Sequence, residues 1–262
     1  MALVWLDDIR LNAEVSGPAD GPGLLLLHAL GTDLSIWDGV VALLPPGLRV
    51  LRHDLRGHGK SDVPAAPYAM GTLVRDAERM LQHFAMKEVV VVGVSLGGLV
   101  AQGLAVKRLD LVRALVLSNT AAKIGGAALW QGRIAEVRAE GLAAYAPGAM
   151  ARIFGRRWRE APAMPGLRAM LEATAVEGWV GGASAIAGTD FYTTTAGLRL
   201  PTLVIAGAND GTTPPDLVRE TGALIRGSRW HLFRDAGHLP MLEQPQAYAA
   251  LLTGFLRDIG HL

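Results

Sequence analysis

The sequence predicts an α/β protein: a mostly parallel central sheet flanked by helices, with a helical insertion. Three observations carry this reading. Apolar runs such as Val89-Val90-Val91-Val92 and Leu24-Leu25-Leu26-Leu27 are unbroken, and a strand buried on both faces needs such a run, where a half-exposed strand would alternate. These runs take turns with segments of helical spacing, the order expected of parallel strands joined by helical crossovers. Finally, the 262 residues are 50% hydrophobic and 19% charged, enough apolar material for one large core.

In chain order, residues 3–7 and 11–17 read as two short strands joined by a turn at Asp8-Ile9-Arg10. A loop rich in breakers, 16–23, precedes the apolar strand Gly23–His28. Leu48–Asp54 is the next strand, ending in the Gly-rich turn Leu55–Ser61. Over residues 72–86, Leu73, Ala77, Met80, Leu81 and Phe84 recur at helical spacing, with Arg75, Asp76, Glu78 and Arg79 on the other side. The strand beginning at Val89 runs into Gly93-Val94-Ser95-Leu96-Gly97, and Leu99–Val106 continues as a helix. Val112–Asn119 is another strand. From 121 to 197 strand-like runs vanish, and helical patterns lie around 127–142, 145–157, 165–175 and 179–188. This reads as an inserted lid, so the expected organisation is a core of 1–120 and 198–262 with a cap of 121–197. The strand 202–206, a helix over 215–226, the strand 229–233 and a last amphipathic helix over 246–259 complete the sheet.

Composition excludes several functions. The formal net charge is +1, and no Lys/Arg run is long enough to track a phosphate backbone, so nucleic acid is not an expected partner. Cysteine is absent, which removes disulfides, thiol nucleophiles and Cys-ligated metals, and suits a reducing compartment. The N-terminal residues lack a basic region ahead of an apolar one, and the run 24–27 is far too short to span a bilayer. The expectation is a soluble cytoplasmic protein, a monomer or small homo-oligomer, with no membrane partner.

The chemistry centres on Ser95. Strand, tight turn and helix around Gly-x-Ser-x-Gly put the serine on a strained elbow above the sheet, and Gly93 and Gly97 are expected where a Cβ would clash. A serine hydroxyl needs an adjacent base, itself oriented by a third group. Asp210 lies just past the strand 202–206 and His238 just past 229–233, at the carboxyl edge where open α/β sheets bind ligands. Asp235 is close to His238 in sequence, and Asn119, after the preceding strand, cannot carry charge. An oxyanion hole is expected from the main-chain N–H groups of Leu30, or alternatively Ala29, and of Leu96. His28 reads as hydrogen-bonded beneath its loop, and His53 and His58 as turn-packing residues, since no third metal ligand sits at suitable spacing.

With these residues in view, Asp54-x-Arg56-Gly57-His58-Gly59-x-Ser61, Gly93-x-Ser95-x-Gly97-Gly98 and Gly237-His238 resemble the α/β-hydrolase superfamily. Leu30–Trp37, Leu117–Gly125 leading to Trp130 and Arg133, and Ala185–Asp190 resemble the 3-oxoadipate enol-lactonase family within it. His28-Ala29 stands where the superfamily usually has His-Gly, and Arg157-Trp158-Arg159 where the lid more typically has Arg-Trp-Phe. The resemblance implies hydrolysis of a small anionic enol-lactone to 3-oxoadipate, in aromatic catabolism, through a Ser95 acyl-enzyme with His238 and Asp210, and neither metal nor organic cofactor. General carboxylesterase or cofactor-free perhydrolase chemistry is the alternative on the same triad. A buried substrate carboxylate needs a cation. Arg133, one helical turn from Trp130, is positioned to supply it while Trp130 packs on the ring; otherwise Trp130 is lid core and Arg133 a solvated face residue.

Overall fold

Val89–Val94 sits at the middle of an eight-stranded sheet, with every residue buried. The computed structural model describes residues 2–155 and 158–262. Its strands are β1 (Ala2–Trp5), β2 (Arg10–Ser16), β3 (Gly23–Leu27), β4 (Arg49–His53), β5 (Val89–Val94), β6 (Val112–Ser118), β7 (Thr202–Gly207) and β8 (Arg229–Phe233). They lie in the order β1-β2-β4-β3-β5-β6-β7-β8. The pairs β1/β2 and β2/β4 are antiparallel and the remaining pairs parallel. The unbroken apolar runs of β3 and β5 thus occupy adjacent central strands, covered on both faces, as their composition requires.

Around the sheet run α1 (Asp38–Val41), α2 (Met70–His83), α3 (Leu96–Lys107), α4 (Ala127–Ile153), α5 (Met164–Ala173), α6 (Val176–Ala187), α7 (Tyr192–Ala196), α8 (Pro215–Leu224), α9 (Pro240–Glu243) and α10 (Pro245–Asp258), with a 3-10 turn over Leu34–Trp37. Among the described residues, no helix is long and apolar enough to cross a membrane. Among the described residues, the elements between β6 and β7 are helical. Gly141 breaks α4 with φ 78° and ψ 171°, so its two halves do not share one helical phase. Arg157, part of the expected Arg-Trp-Arg variation and of the helix expected over 145–157, lies outside the described residues.

Three differences from the sequence reading have local causes. The first strand ends at Trp5 because Asp7 adopts a left-handed φ of 60°, and Leu6 N–H bonds Ile9 O, which moves the turn forward to 6–9. Short helices at 34–41, 192–196 and 240–243 were not anticipated; none is long enough to show a periodic apolar face. Asp76, assigned to the polar face of α2, is instead buried and pairs two-pronged with Arg56, at 2.6 Å (Nε–Oδ2) and 2.7 Å (Nη2–Oδ1). Truncating one member of a buried pair strands the other's charge, so Asp76→Ala should cost about 3–5 kcal/mol in a denaturant titration. A loss under about 1 kcal/mol would mean that water reaches Arg56.

Candidate active site

Ser95 stands between β5 and α3 with φ 56° and ψ −117°, a conformation that side chains other than glycine rarely adopt. The turn closes because both flanking glycines lack a Cβ. One built on Gly93 would lie 2.3 Å from Gly97 O, and one on Gly97 2.4 Å from Leu27 O. Gly97 N–H donates to His28 O at 3.1 Å, which ties the loop after β3 to the serine turn.

That loop is built from beneath. The Nε2 atom of His28 accepts from Leu55 N–H at 2.8 Å and Nδ1 faces Ala29 O at 2.8 Å, so the ring is a neutral Nδ1–H tautomer. Burial also pushes it away from protonation. Asp54, the head of the Asp-x-Arg-Gly-His-Gly motif, accepts from Asn12 Nδ2, Leu34 N–H and Lys60 N–H at 2.8–2.9 Å. The motif therefore braces the loop carrying Ala29 and Leu30. Burial holds His53 and His58 neutral, pushing them down to about 4 and about 3; Nδ1 of each bonds a main-chain carbonyl. Among the described residues, no three His, Cys, Asp or Glu side chains form a metal-binding group.

Asp210 and His238 meet in the arrangement expected of them. His238 Nδ1 lies 2.7 Å from Asp210 Oδ2, and both side chains are buried. Burial works against the Asp210 charge, but His238, Asn119 and Thr213 together outweigh it and hold the carboxyl below its usual range. Asn119 Nδ2 and Thr213 Oγ1 donate to Oδ2 at 2.9 and 2.7 Å, and the main-chain N–H groups of Thr212 and Thr213 donate to Oδ1 at 2.7 and 3.0 Å. Asn119, unsuited to be the acid, thus helps to hold it. The role of Asn119 had no marker in the sequence, since it depends on adjacent strands bringing their ends together, while Thr213 reaches Asp210 from three residues on in the same turn.

Ser95 and His238 line one cavity of about 50 Å³ with Ala29, Leu30, Trp130 and Arg133. Leu96 is buried at the start of α3. Among the described residues, the N–H groups of Leu30 and Leu96 donate to no other protein group, so both are available to an oxyanion. Trp130 lines the cavity and, 4% exposed, is anchored by donating Nε1–H to Ile124 O at 2.6 Å. The Arg133 guanidinium lies 4.8 Å from the centre of the Trp130 ring and is half-buried.

One residue of this wall was missed. Arg152, on the second half of α4, also lines the cavity and donates to Tyr145 OH at 3.0 Å. Burial and the nearby Arg152 charge both make the Arg133 cation less favourable. Among the described residues neither arginine makes an ion pair. Arg152 is 19 residues beyond Arg133, and the break at Gly141 removes the helical phase that would have linked them.

The same end of α4 is fixed to both loops of the acid and base. Gly211 N–H donates to Arg152 O at 2.9 Å and His238 N–H to Ile153 O at 2.7 Å.

Residues 22–245 match the family model described as alpha/beta hydrolase fold. The chain is 34% identical to 3-oxoadipate enol-lactonase 2 of Acinetobacter baylyi over 92% of its own length and 91% of that protein's. Among solved structures it is similar to an enol-lactonase from Burkholderia xenovorans (TM-score 0.94, 31% identity, covering 98% of this chain and 100% of that one). It is also similar to a thermophilic esterase from Thermogutta terrifontis, solved with malate bound (TM-score 0.89, 30% identity, covering 96% and 94%).

Proposed function

We propose that this chain, which belongs to the alpha/beta hydrolase fold family, opens the ring of a small anionic enol-lactone, 3-oxoadipate enol-lactone, by way of an acyl-enzyme on Ser95. The observation that carries the substrate class is the pair Arg133 and Arg152, two guanidiniums without ion-pair partners among the described residues, on the wall of the cavity that holds Ser95 and His238. Two half-buried like charges on one cavity wall are unfavourable unless an anion sits between them. The likeness to an enol-lactonase over nearly the whole chain supports the narrower identity of that anion.

In this reading His238 Nε2 takes the Ser95 hydroxyl proton as Oγ attacks the lactone carbonyl, and Asp210 stabilises the imidazolium at Nδ1. The N–H groups of Leu30 and Leu96 hold the tetrahedral oxyanion. Collapse breaks the ring C–O bond, the enolate oxygen leaves and takes the proton from His238, and the enol ketonises. Water then gives a proton to His238 and attacks the acyl carbonyl; Ser95 leaves with that proton, and 3-oxoadipate is released. The substrate carboxylate pairs with Arg133 while Trp130 and the small cavity fix the ring. The setting is taken to be the cytoplasm, where aromatic catabolism generates such lactones.

The deciding experiment is kcat/KM for freshly generated 3-oxoadipate enol-lactone beside a neutral ester of similar size. A preference of several orders of magnitude for the lactone is expected; comparable slow rates would leave a general esterase, in line with the Thermogutta relative. Arg133→Ala sharpens the test. Loss of one charge-assisted contact costs about 1.5–3 kcal/mol, so KM for the lactone should rise on the order of 10- to 100-fold, while the neutral ester changes by less than about threefold. Equal effects on both would remove Arg133 from the carboxylate.

A further inference from the structure

We propose that Glu243 is a positioning residue for His238: its buried carboxyl clasps the main chain of the His238 loop from behind and places a second, titratable charge beside the His238–Asp210 pair. The proposal rests on the reading of Ser95, His238 and Asp210 as a hydrolytic triad, but not on the identity of the substrate.

Glu243 ends the short helix α9, is 7% exposed, and accepts the Gly237 N–H on Oε1 at 2.8 Å. Its other oxygen, Oε2, is buried without a hydrogen-bond partner among the described residues. The clasp is one of four contacts that fix the peptide units leading into His238, where Ala236 O also accepts from Asn209 N–H at 2.9 Å. Gly237 O accepts from Asn119 Nδ2 at 3.0 Å, and His238 N–H donates to Ile153 O at 2.7 Å. There is little slack, since a Cβ on Gly237 would lie 2.3 Å from Ile153 O. Without an acceptor at position 243, the Gly237 N–H would be buried and unsatisfied, and a loop that repacks to satisfy it carries the imidazole with it.

A structural clasp alone could be a neutral amide. Here it is an acid, pushed up to about 7 chiefly by burial and partly by Asp210, while the N–H groups of Gly237 and Leu239 and the His238 charge pull the other way. The acids that bear on it are Asp210, whose charge raises it, and Asp235, which shares a surface hollow with Glu243, Trp158 and Gln244. Ionised Glu243 therefore adds to Asp210 in stabilising the imidazolium formed during turnover, and does so above neutrality.

Two variants separate clasp from charge: Glu243→Gln keeps an acceptor without the charge, and Glu243→Leu removes both. Steady-state hydrolysis of 4-nitrophenyl acetate from pH 5 to 9 is the probe, with thermal melts alongside. Glu243→Leu should lose on the order of 10- to 100-fold in kcat with KM within about twofold. Glu243→Gln should recover most of that loss and match the unmodified enzyme below pH 6, where Glu243 is itself protonated. Above pH 7 it should fall a few-fold behind. The folded state raises this carboxyl's pKa, so it holds the proton more tightly than the unfolded chain, and the unmodified protein loses stability as pH rises from about 4.5 to about 7. The melting temperature of Glu243→Gln should thus gain on the unmodified protein across that window. Full kcat in Glu243→Leu would overturn the positioning role, and a pH-independent deficit in Glu243→Gln would overturn the role of the charge. An unmodified enzyme inert towards every ester would overturn the triad reading instead, and this proposal with it.

Discussion

Ser95→Ala should lower kcat on the order of 10⁵- to 10⁶-fold, whichever ester is used, without destabilising the protein. The size follows from the role. A nucleophile that forms the acyl-enzyme has no substitute at the same position, and what survives is the contribution of the oxyanion hole and substrate binding. The absence of a stability cost also follows from the geometry. Ser95 keeps its left-handed φ of 56° because Gly93, Gly97 and the sheet leave the chain no other path, and alanine bears that strain as serine does. The main-chain N–H groups of Leu30 and Leu96 are untouched, so the variant should bind substrate with nearly unchanged Kd in calorimetry. A phosphonate ester that labels the unmodified protein should leave Ser95→Ala unlabelled. Retention of more than about a hundredth of the activity would place the nucleophile elsewhere.

How much of this site the sequence reveals depends on how far apart its parts lie. The elbow is legible because its whole cause is local: an apolar strand, two glycines with no room for a Cβ, and a helix, all within Val89–Lys107. Asp210 and His238 are legible because each follows a short predicted strand, plainly apolar before Asp210 and more mixed before His238, and a parallel sheet delivers all such ends to one edge. The holding network is not legible. Asn119 belongs to it only because β6 and β7 are neighbours in register, with Ser118 opposite Ile205, whereas Thr213 joins it from three residues beyond Asp210 in the same turn. Arg152 was hidden by the break at Gly141, and Asp76 by an amphipathic pattern in which a buried acid looks like a surface one. The strand order was also out of reach, since β4 stands between β2 and β3, a placement that depends on packing across the sheet.

Asp210→Asn should lower kcat on the order of 10⁴-fold, through the proton rather than through shape. The two carboxyl oxygens are not equivalent. Oδ1 accepts from the main-chain N–H groups of Thr212 and Thr213, which are fixed donors. An asparagine at 210 must therefore turn its carbonyl oxygen to that side, and its amide nitrogen takes the place of Oδ2. At that place stand His238 Nδ1 at 2.7 Å and the Asn119 amide nitrogen at 2.9 Å. Asn119 has little freedom to turn, because Nδ2 also donates to Gly237 O and Oδ1 accepts from Ser118 Oγ. The new amide would then donate to His238 Nδ1 and force the proton onto Nε2, the atom that must be free to take the serine's proton. Nitrogen-15 NMR of the His238 ring reads this directly: the protonated nitrogen should change from Nδ1 to Nε2 while the fold is retained. Two amide nitrogens left facing each other should also cost stability, about 1–3 kcal/mol. If activity fell by less than about tenfold with the Nδ1–H tautomer intact, the orienting acid would not be Asp210, and the buried carboxyl of Glu243, bonded to the Gly237 N–H just before His238, would be the next group to change.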